Sequence, residues 1–301
     1  MKVMVTGAGG FVGTRLTLAL LARGYQVQAL YHHPPHRPPA GAKVFVADIG
    51  NARGLRECFA GVQRVYHLAS QAETSSHSQD LIETNVTGTL NILHAALAQD
   101  CRMLHVSSHE VYGPHLYSPL DEKHPLLGQD RQATSRLAAD TLAETFYRSF
   151  GLAVTVVRLF PLYGPGQRRY HWLASLIQQL LNASEAPDPE SIEIDALYID
   201  DAVKDLIALA EAAQPGEVFN LGSGQVWPLA NLLPEIQTWL NKTQGLQEIL
   251  AQLSPKPWQT LSHRLANLHK LSGCLDFTPR TDPHDGLRRT LKELGDLACA
   301  S

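Results

Sequence analysis

Short apolar, β-branched runs alternate with stretches of helical periodicity along most of the chain. Lys2-Val3-Met4-Val5-Thr6 has the pattern of a buried strand. From Thr14 to Arg23, Leu16, Leu20 and Leu21 recur at helical spacing, and Gly24 fits a helix C-cap. The same pattern predicts strands at Gln26–Tyr31, Lys43–Val46, Arg64–Leu68, Met103–Val106 and Val218–Leu221. It predicts helices over Leu81–Gln99, Tyr170–Leu181, Asp200–Ala213 and Leu229–Leu240, with Asp200 as an N-cap. Trp172, Leu173, Leu176, Ile177 and Leu180 form the apolar face of the second of these. Asn182–Glu190 is a polar, proline-containing loop and a candidate lid, and Asn241–Pro257 gives no clear element. Strands alternating with helices make this an α/β protein with a doubly wound parallel sheet.

The turn after the first run carries the first chemistry. Gly7-Ala8-Gly9-Gly10-Phe11-Val12-Gly13 lies between a strand and a helix. A dinucleotide pyrophosphate needs such a tight turn, a close backbone approach and a helix N-terminus facing the anion. Gly7, Gly10 and Gly13 give G-x-x-G-x-x-G spacing rather than the plain Rossmann G-x-G-x-x-G. The alternative is a strand–helix turn without a ligand. The end of the second strand then bears on cofactor choice. A carboxylate there would bond a ribose 2′-hydroxyl. Tyr31, His32, His33 and, further on, Arg37 stand there instead, which favours NADP over NAD as the partner of neutral or cationic groups. The bland reading is a solvated loop, since His33–Pro39 contains four prolines. The same prolines make the histidines a poor wrapping for an ion, so no metal is expected.

Composition narrows the class. The chain has 301 residues, 44% hydrophobic and 18% charged, the proportions of an ordinary globular enzyme. A net charge of −4 argues against a nucleic-acid partner. No run is long enough to predict a membrane span. The first strand begins at once, so no signal peptide is expected. Cys58, Cys101, Cys274 and Cys299 lack metal-like spacing and fit reduced thiols, an expectation of cytoplasmic location.

The motifs taken in order resemble those of the extended short-chain dehydrogenases/reductases, in the NAD-dependent epimerase/dehydratase family that acts largely on nucleotide sugars. The matching stretches are Thr6–Gly13, Asp48, His67–Ala69, ETNVTGTLN at 83–91, SSHEVYG at 107–113, SRLAAD at 135–140, RLFPLYGPGQ at 158–167, YIDDA at 198–202 and FNLGSG at 219–224. The resemblance implies a Rossmann-type domain at 1–165, rejoined by 198–222, and a smaller C-terminal substrate lobe at 166–197 and 223–295. It implies a cofactor site built from Gly7, Gly10, Phe11, Val12, Gly13, Tyr31, His32, Arg37, Asp48, Ile49, Leu68, Ala69, Ser70, Asn85, Ser107, Arg136 and Phe160. Asp48 and Ile49 match the adenine-contacting pair, and Ala69 lines the nicotinamide side. Ser108 matches the serine or threonine that bonds the reacting oxygen. His109 and Glu110 fall where sugar dehydratases carry an Asp–Glu pair, so Glu110 matches the base of the elimination step; its bland alternative is a loop cap. Family members commonly pair through two helices, here about Leu81–Gln99 and Gln132–Gly151; the second carries Leu137, Leu142, Phe146 and Phe150, more apolar surface than one core face needs, so a homodimer is expected, with a monomer as the alternative.

The departures concern the reaction. The family's Tyr-x-x-x-Lys positions hold Gln132 and Arg136. In the family the phenol exchanges a proton with the substrate oxygen, and the lysine lowers the phenol's pKa and holds the ribose. A glutamine amide offers hydrogen bonds without proton transfer. Arg136 keeps a charge but stays protonated. Pro161 replaces the usual asparagine, and Glu193–Tyr198 lacks the usual arginine; both normally help hold the substrate's diphosphate. Tyr112, Tyr163, His109 and His171 are the other candidates for moving a proton, and Ser108–His109 is a conceivable couple. Arg264 is a modest candidate for phosphate binding, and Trp227 and Trp258 are either pocket walls or core. Two functions remain open. One is an NAD(P)-dependent epimerase, dehydratase or reductase of a sugar nucleotide or related small carbonyl or hydroxyl compound. The other is a non-catalytic dinucleotide-binding sensor or scaffold.

Overall fold

The computed structural model describes residues 1–71, 78–167, 172–173, 176–177, 193–242, 264–275 and 280–299. Its strands are β1 (Lys2–Thr6), β2 (Gln26–Tyr31), β3 (Lys43–Val46), β4 (Arg64–His67), β5 (Arg102–Ser108), β6 (Val154–Leu159), β7 (Leu162–Tyr163), β8 (Glu193–Ile194), β9 (Leu197–Tyr198), β10 (Val218–Leu221) and β11 (Trp227–Pro228). Its helices are α1 (Phe11–Ala22), α2 (Ser78–Leu81), α3 (Thr89–Ala98), α4 (Arg131–Phe150), α5 (Ile199–Ala212), α6 (Leu229–Lys242), α7 (His269–Cys274) and α8 (Pro283–Cys299). Seven strands form one sheet in the order β3-β2-β1-β4-β5-β6-β10, and its pairings are parallel. The Rossmann-type reading of the sequence is therefore correct. The chain builds outward from β1 to β3, then restarts at β4 on the other side of β1. That reversal opens a crevice at the carboxyl ends of β1 and β4, where ligands of such sheets lie.

Burial on both faces explains why the strands read as continuous apolar runs rather than alternating ones. Val3, Met4 and Val5 are fully buried. One face packs Leu16 and Leu20 of α1 with Leu206 and Leu209 of α5. The other packs Ile92, Leu93 and Ala96 of α3 with Ala143 and Phe146 of α4. Truncating any one of the large members to alanine should cost about 2–5 kcal/mol.

A row of buried polar groups crosses this apolar sheet near its carboxyl edge. The Thr6 hydroxyl accepts from the backbone amides of Leu68 and Ala69, each at 3.1 Å, and lies 2.7 Å from His67 Nδ1. Its lone pairs being engaged, the hydroxyl donates to Nδ1. His67 therefore carries its proton on Nε2, which sits 3.0 Å from the Thr89 hydroxyl. His67 stacks on His105 at 5.4 Å, and His105 Nε2 lies 3.3 Å from Asp140 Oδ1. Asp140 accepts from Arg158 Nε at 3.2 Å, Arg158 donates to the Tyr112 hydroxyl at 3.2 Å, and Tyr112 donates to Asn220 Oδ1 at 2.6 Å. Burial raises the Asp140 carboxyl, but His105 and Arg158 outweigh it and hold the group below its ordinary value.

Three sequence readings need correction. The helix expected over Leu81–Gln99 is interrupted: Ile82–Gly88 is a π-helical segment between α2 and α3. Its wider turn turns Asn85 inward. Asp200 does not cap α5. Tyr198 precedes the helix, and Asp200 lies in the first turn, where Arg15 of α1 grips it at 2.6 and 2.9 Å. Phe146 is buried against α3 within the same chain, so α4 has less spare apolar surface than its sequence implied. α4 itself is capped as its sequence requires: Asp130 accepts from the Ala133 amide at 2.6 Å, and Gly151 closes the helix in the left-handed conformation with φ 73°. The Asn182–Glu190 loop, Trp258 and His171 lie outside the described residues; of Asn241–Pro257 only Asn241 and Lys242 fall within them, as the last residues of α6.

Candidate functional site

The glycine turn is packed too tightly for side chains. Gly7 has φ +66°, and a Cβ there would stand 2.8 Å from the Ala69 amide nitrogen. A Cβ on Gly13 would overlap the Gly7 carbonyl oxygen. The Gly10 amide donates to the same oxygen at 2.9 Å, and Gly10 N-caps α1 without any side-chain cap. The loop thus bends back on itself ahead of α1, with Gly7 close against Leu68 and Ala69 just after β4. This is the cradle a pyrophosphate needs. The nucleoside end is less decided. Tyr31 is buried with its ring against Gly9, at 3.1 Å from where a Cβ would be. His32, His33 and Arg37 are exposed, the two imidazoles edge to face at 4.2 Å. Asp48 accepts from the Gly50 amide at 2.8 Å, and Ile49 is buried against Gly88.

At the end of β5 the chain turns through Ser108, His109 and Glu110. Ser108 Oγ accepts from the Glu110 amide at 3.2 Å, which leaves its proton available to donate. Glu110 faces the first turns of α4. Gln132 Nε2 donates to Glu110 Oε2 at 2.9 Å, and Arg136 Nε lies 3.8 Å from the same oxygen. Arg136 also reaches the Ser70 hydroxyl at 3.4 Å, bridging the ends of β4 and β5. The Glu110 side chain keeps a third of its surface open to solvent, while Gln132 is buried. Arg264 approaches from the C-terminal segment; burial lowers its pKa, and the charges of Glu110 and Asp130 partly offset that.

The other expected residues divide into two groups. Asn85 works as a strut: it bonds Gln71 through both its oxygen and its nitrogen and donates to Ser135 Oγ at 2.8 Å. Ser107 and Phe160 are buried. His109 stacks on Phe160 at 5.3 Å, and its Nδ1 points at the Leu159 carbonyl at 3.2 Å. It therefore turns away from Ser108, and the Ser108–His109 couple does not form. Burial pushes the His109 imidazole down to about 4, so it is neutral at pH 7. Tyr112 is fully buried in the polar row. Tyr163 and Trp227 line a cavity of about 540 Å³ with Tyr198, Asp201 and Arg280, and neither Ser108 nor Glu110 belongs to it. Pro161 offers only its carbonyl, to the Leu197 amide at 2.8 Å, and Ile194 is buried near the place of the missing arginine. Sequence reasoning missed Asp195, which ties the lobe together by accepting from Ser223, Gly224 and Ala266. Its place in the arginine-free 193–198 stretch was the available signal.

The sequence pattern of the NAD dependent epimerase/dehydratase family matches residues 3–222. The chain belongs to that family. Its relatives include UDP-glucuronate 4-epimerase 5 of Arabidopsis thaliana, 28% identical over 97% of this chain and 75% of the relative. A UDP-N-acetyl-alpha-D-glucosaminuronate decarboxylase of Bacillus cytotoxicus is 26% identical over 97% of both chains. Among solved structures, an NAD-dependent NDP-hexosamine 5,6-dehydratase superposes with a TM-score of 0.79 at 27% identity, covering 98% of each chain. The UDP-glucuronic acid 4-epimerase of Bacillus cereus, solved with NAD, gives a TM-score of 0.81 at 24% identity over 99% of this family member, and it speaks for the fold. No helix among the described residues is long and apolar enough to cross a membrane, and none of their His, Cys, Asp and Glu side chains cluster to hold a metal.

Proposed function

We propose that this chain is an NAD(P)-dependent enzyme that epimerises, dehydrates or reduces a nucleotide sugar or a related small carbonyl or hydroxyl compound. The carrying observation is the meeting of two built features at one crevice. The Gly7–Gly13 cradle abuts Ala69, and Ser108 with Glu110 stands at the neighbouring strand end. Gly7, Gly10, Phe11, Val12 and Gly13 hold the pyrophosphate, Asp48 and Ile49 flank the adenine, and Leu68, Ala69 and Ser70 face the nicotinamide. Asn85, Ser107 and Phe160 support that surface from behind, and Arg136 takes the ribose. When bound, the nicotinamide supplies a hydride acceptor and donor. Ser108 orients the reacting oxygen by donating its hydroxyl proton. Residues 1–165 and 198–222 form the dinucleotide unit, and 166–197 with 223–295 the substrate lobe.

Tyr31, His32, His33 and Arg37 offer no carboxylate to a ribose 2′-hydroxyl, which supports acceptance of NADP beside the NAD held by the solved neighbours. A homodimer through α3 and α4 fits Tyr147 and Phe150, which stay exposed on α4 at 39% and 56%. The second reading, a sensor that binds the dinucleotide without turnover, is favoured by Gln132 and Pro161. Titration with NAD⁺, NADH, NADP⁺ and NADPH, followed by melting temperature, tests the first step. Chromatographic analysis of the products formed from UDP-glucuronate, UDP-glucose and dTDP-glucose tests the second, since epimerisation and dehydration return the hydride and leave no net change in the nicotinamide. Binding with turnover supports the enzyme, binding without turnover the sensor, and no binding overturns both.

A further inference from the structure

The puzzle posed by the sequence is a redox crevice whose proton-handling phenol has become an amide. We infer that the Glu110 carboxylate performs the phenol's task, with Gln132 and Arg136 as its positioning residues; this rests on the enzyme reading above. The geometry makes the substitution a coordinated one. The side chain at position 132 does not simply lose its function. Its amide nitrogen is spent on Glu110 Oε2 at 2.9 Å, and the cation four residues on lies 3.8 Å from the same oxygen. Both former catalytic positions thus converge on a single carboxylate. That carboxylate shares a turn with Ser108, whose oxygen accepts the Glu110 amide at 3.2 Å. One oxygen-directed donor and one proton acceptor therefore come from the same turn at the end of β5. The other titratable groups in these segments are unsuited: His109 is buried and faces Leu159, Tyr112 is committed to Arg158 and Asn220, and Tyr163 lines the lobe cavity.

The step balances without a further reagent. A substrate carbinol gives its hydride to the oxidised nicotinamide, its O–H bond breaks, and the proton goes to Glu110. The products are a ketone, the reduced nicotinamide and a neutral Glu110. Reversal on either face of the ketone returns the proton from Glu110 to oxygen. This differs from the elimination role that the dehydratase resemblance implies for the same residue, because the proton here leaves oxygen rather than carbon. The amide of Gln132 and the guanidinium of Arg136 fix one carboxylate oxygen, so the group loses no rotamer freedom when the substrate arrives.

The test compares Glu110→Gln in two backgrounds, the native chain and Gln132→Tyr/Arg136→Lys, with NAD⁺ and UDP-glucuronate, UDP-glucose and dTDP-glucose as probes. In the native chain the substitution should slow turnover by about 10²–10⁴-fold. In the tyrosine–lysine background it should cost less than about tenfold, because a phenol again carries the proton. The melting shift produced by NAD⁺ should be unchanged in both. Infrared difference spectra of the native chain mixed with NAD⁺ and sugar should show the carbonyl stretch of a newly protonated carboxyl group, absent in Glu110→Gln. Should that variant not fold, Glu110→Asp serves: it keeps the infrared band while losing at least about tenfold in rate, since the shorter side chain leaves Gln132. Turnover of Glu110→Gln within threefold of native, equal losses in the two backgrounds, or a band that survives the substitution would each overturn the inference alone. A native protein that binds NAD⁺ but turns over none of the sugars overturns the enzyme reading and this inference with it.

Discussion

The crevice has two walls of different character. The wall made by β1, the glycine turn and β4 is packed backbone against backbone, down to contacts that exclude a Cβ at Gly7 and Gly13. The wall made by β5 and the first turns of α4 is held by polar side chains, with Gln132 and Arg136 both turned to Glu110. The difference shows which constraint each wall obeys. The first is shaped by backbone packing, where a wrong side chain collides with main chain. The second is shaped by side-chain donors and acceptors, and a change at Gln132 can be absorbed by a partner such as Glu110.

The strongest test of that contrast lies in the body of α4. Asp140→Leu leaves Arg158 buried without its carboxylate and should destabilise the fold by about 3–5 kcal/mol, read by denaturant unfolding. A loss under about 1 kcal/mol would mean that α4 is held by its apolar face alone. Next comes acid. The unfolded imidazole of His109 titrates near its ordinary value of 6.5, the folded one at about 4. Between those values the unfolded chain binds more protons, so stability falls as pH is lowered from 6.5 to 4. For His109 the change is on the order of 3 kcal/mol, and His109→Asn should flatten that part of the stability–pH curve. His67, which burial and the neighbouring His105 hold well below its ordinary value, adds a loss of the same sign that remains in the variant. On the other wall, Gly13→Ala should weaken every nicotinamide dinucleotide by about 10–100-fold, or 1.4–2.8 kcal/mol, and should also lower the melting temperature of the free protein, because its Cβ overlaps the Gly7 carbonyl oxygen. The smallest effect is expected at the exposed loop: Arg37→Ala should reduce the affinity for NADPH relative to NADH by less than about tenfold.

Much of this was legible in the sequence, and the reasons for the rest are physical. Residues 43–46 and 218–221, the two edge strands, were read to the residue, because short runs rich in valine and phenylalanine mark strands even where they are not fully buried. The glycine turn was legible because its spacing encodes a backbone shape. The π-helical segment at Ile82–Gly88 was not, since it lies within one continuous helical run and its residue types are compatible with an ordinary helix. Asp200 misled because the same residue type that caps a helix also pairs with a cation, and the partner, Arg15, is 185 residues away. The Gln132–Glu110 contact joins positions 22 apart and depends on how β5 and α4 are packed, which no local pattern records. The residue types at 132 and 136 were visible in the sequence; their shared contact with Glu110 became visible only in three dimensions.

The polar row across the sheet has a bearing on how such a protein can change over time. It grips α4 at Asp140, two helical turns beyond Gln132, and grips β4 at His67, ahead of the loop that carries Ala69 and Ser70. The segments that carry the chemistry therefore project past the points of attachment, as replaceable ends on a fixed shaft. Residues near 132 and 136 can be exchanged one at a time while the helix stays registered against the sheet. Such a scaffold can pass through partly rebuilt reaction centres without losing its shape on the way.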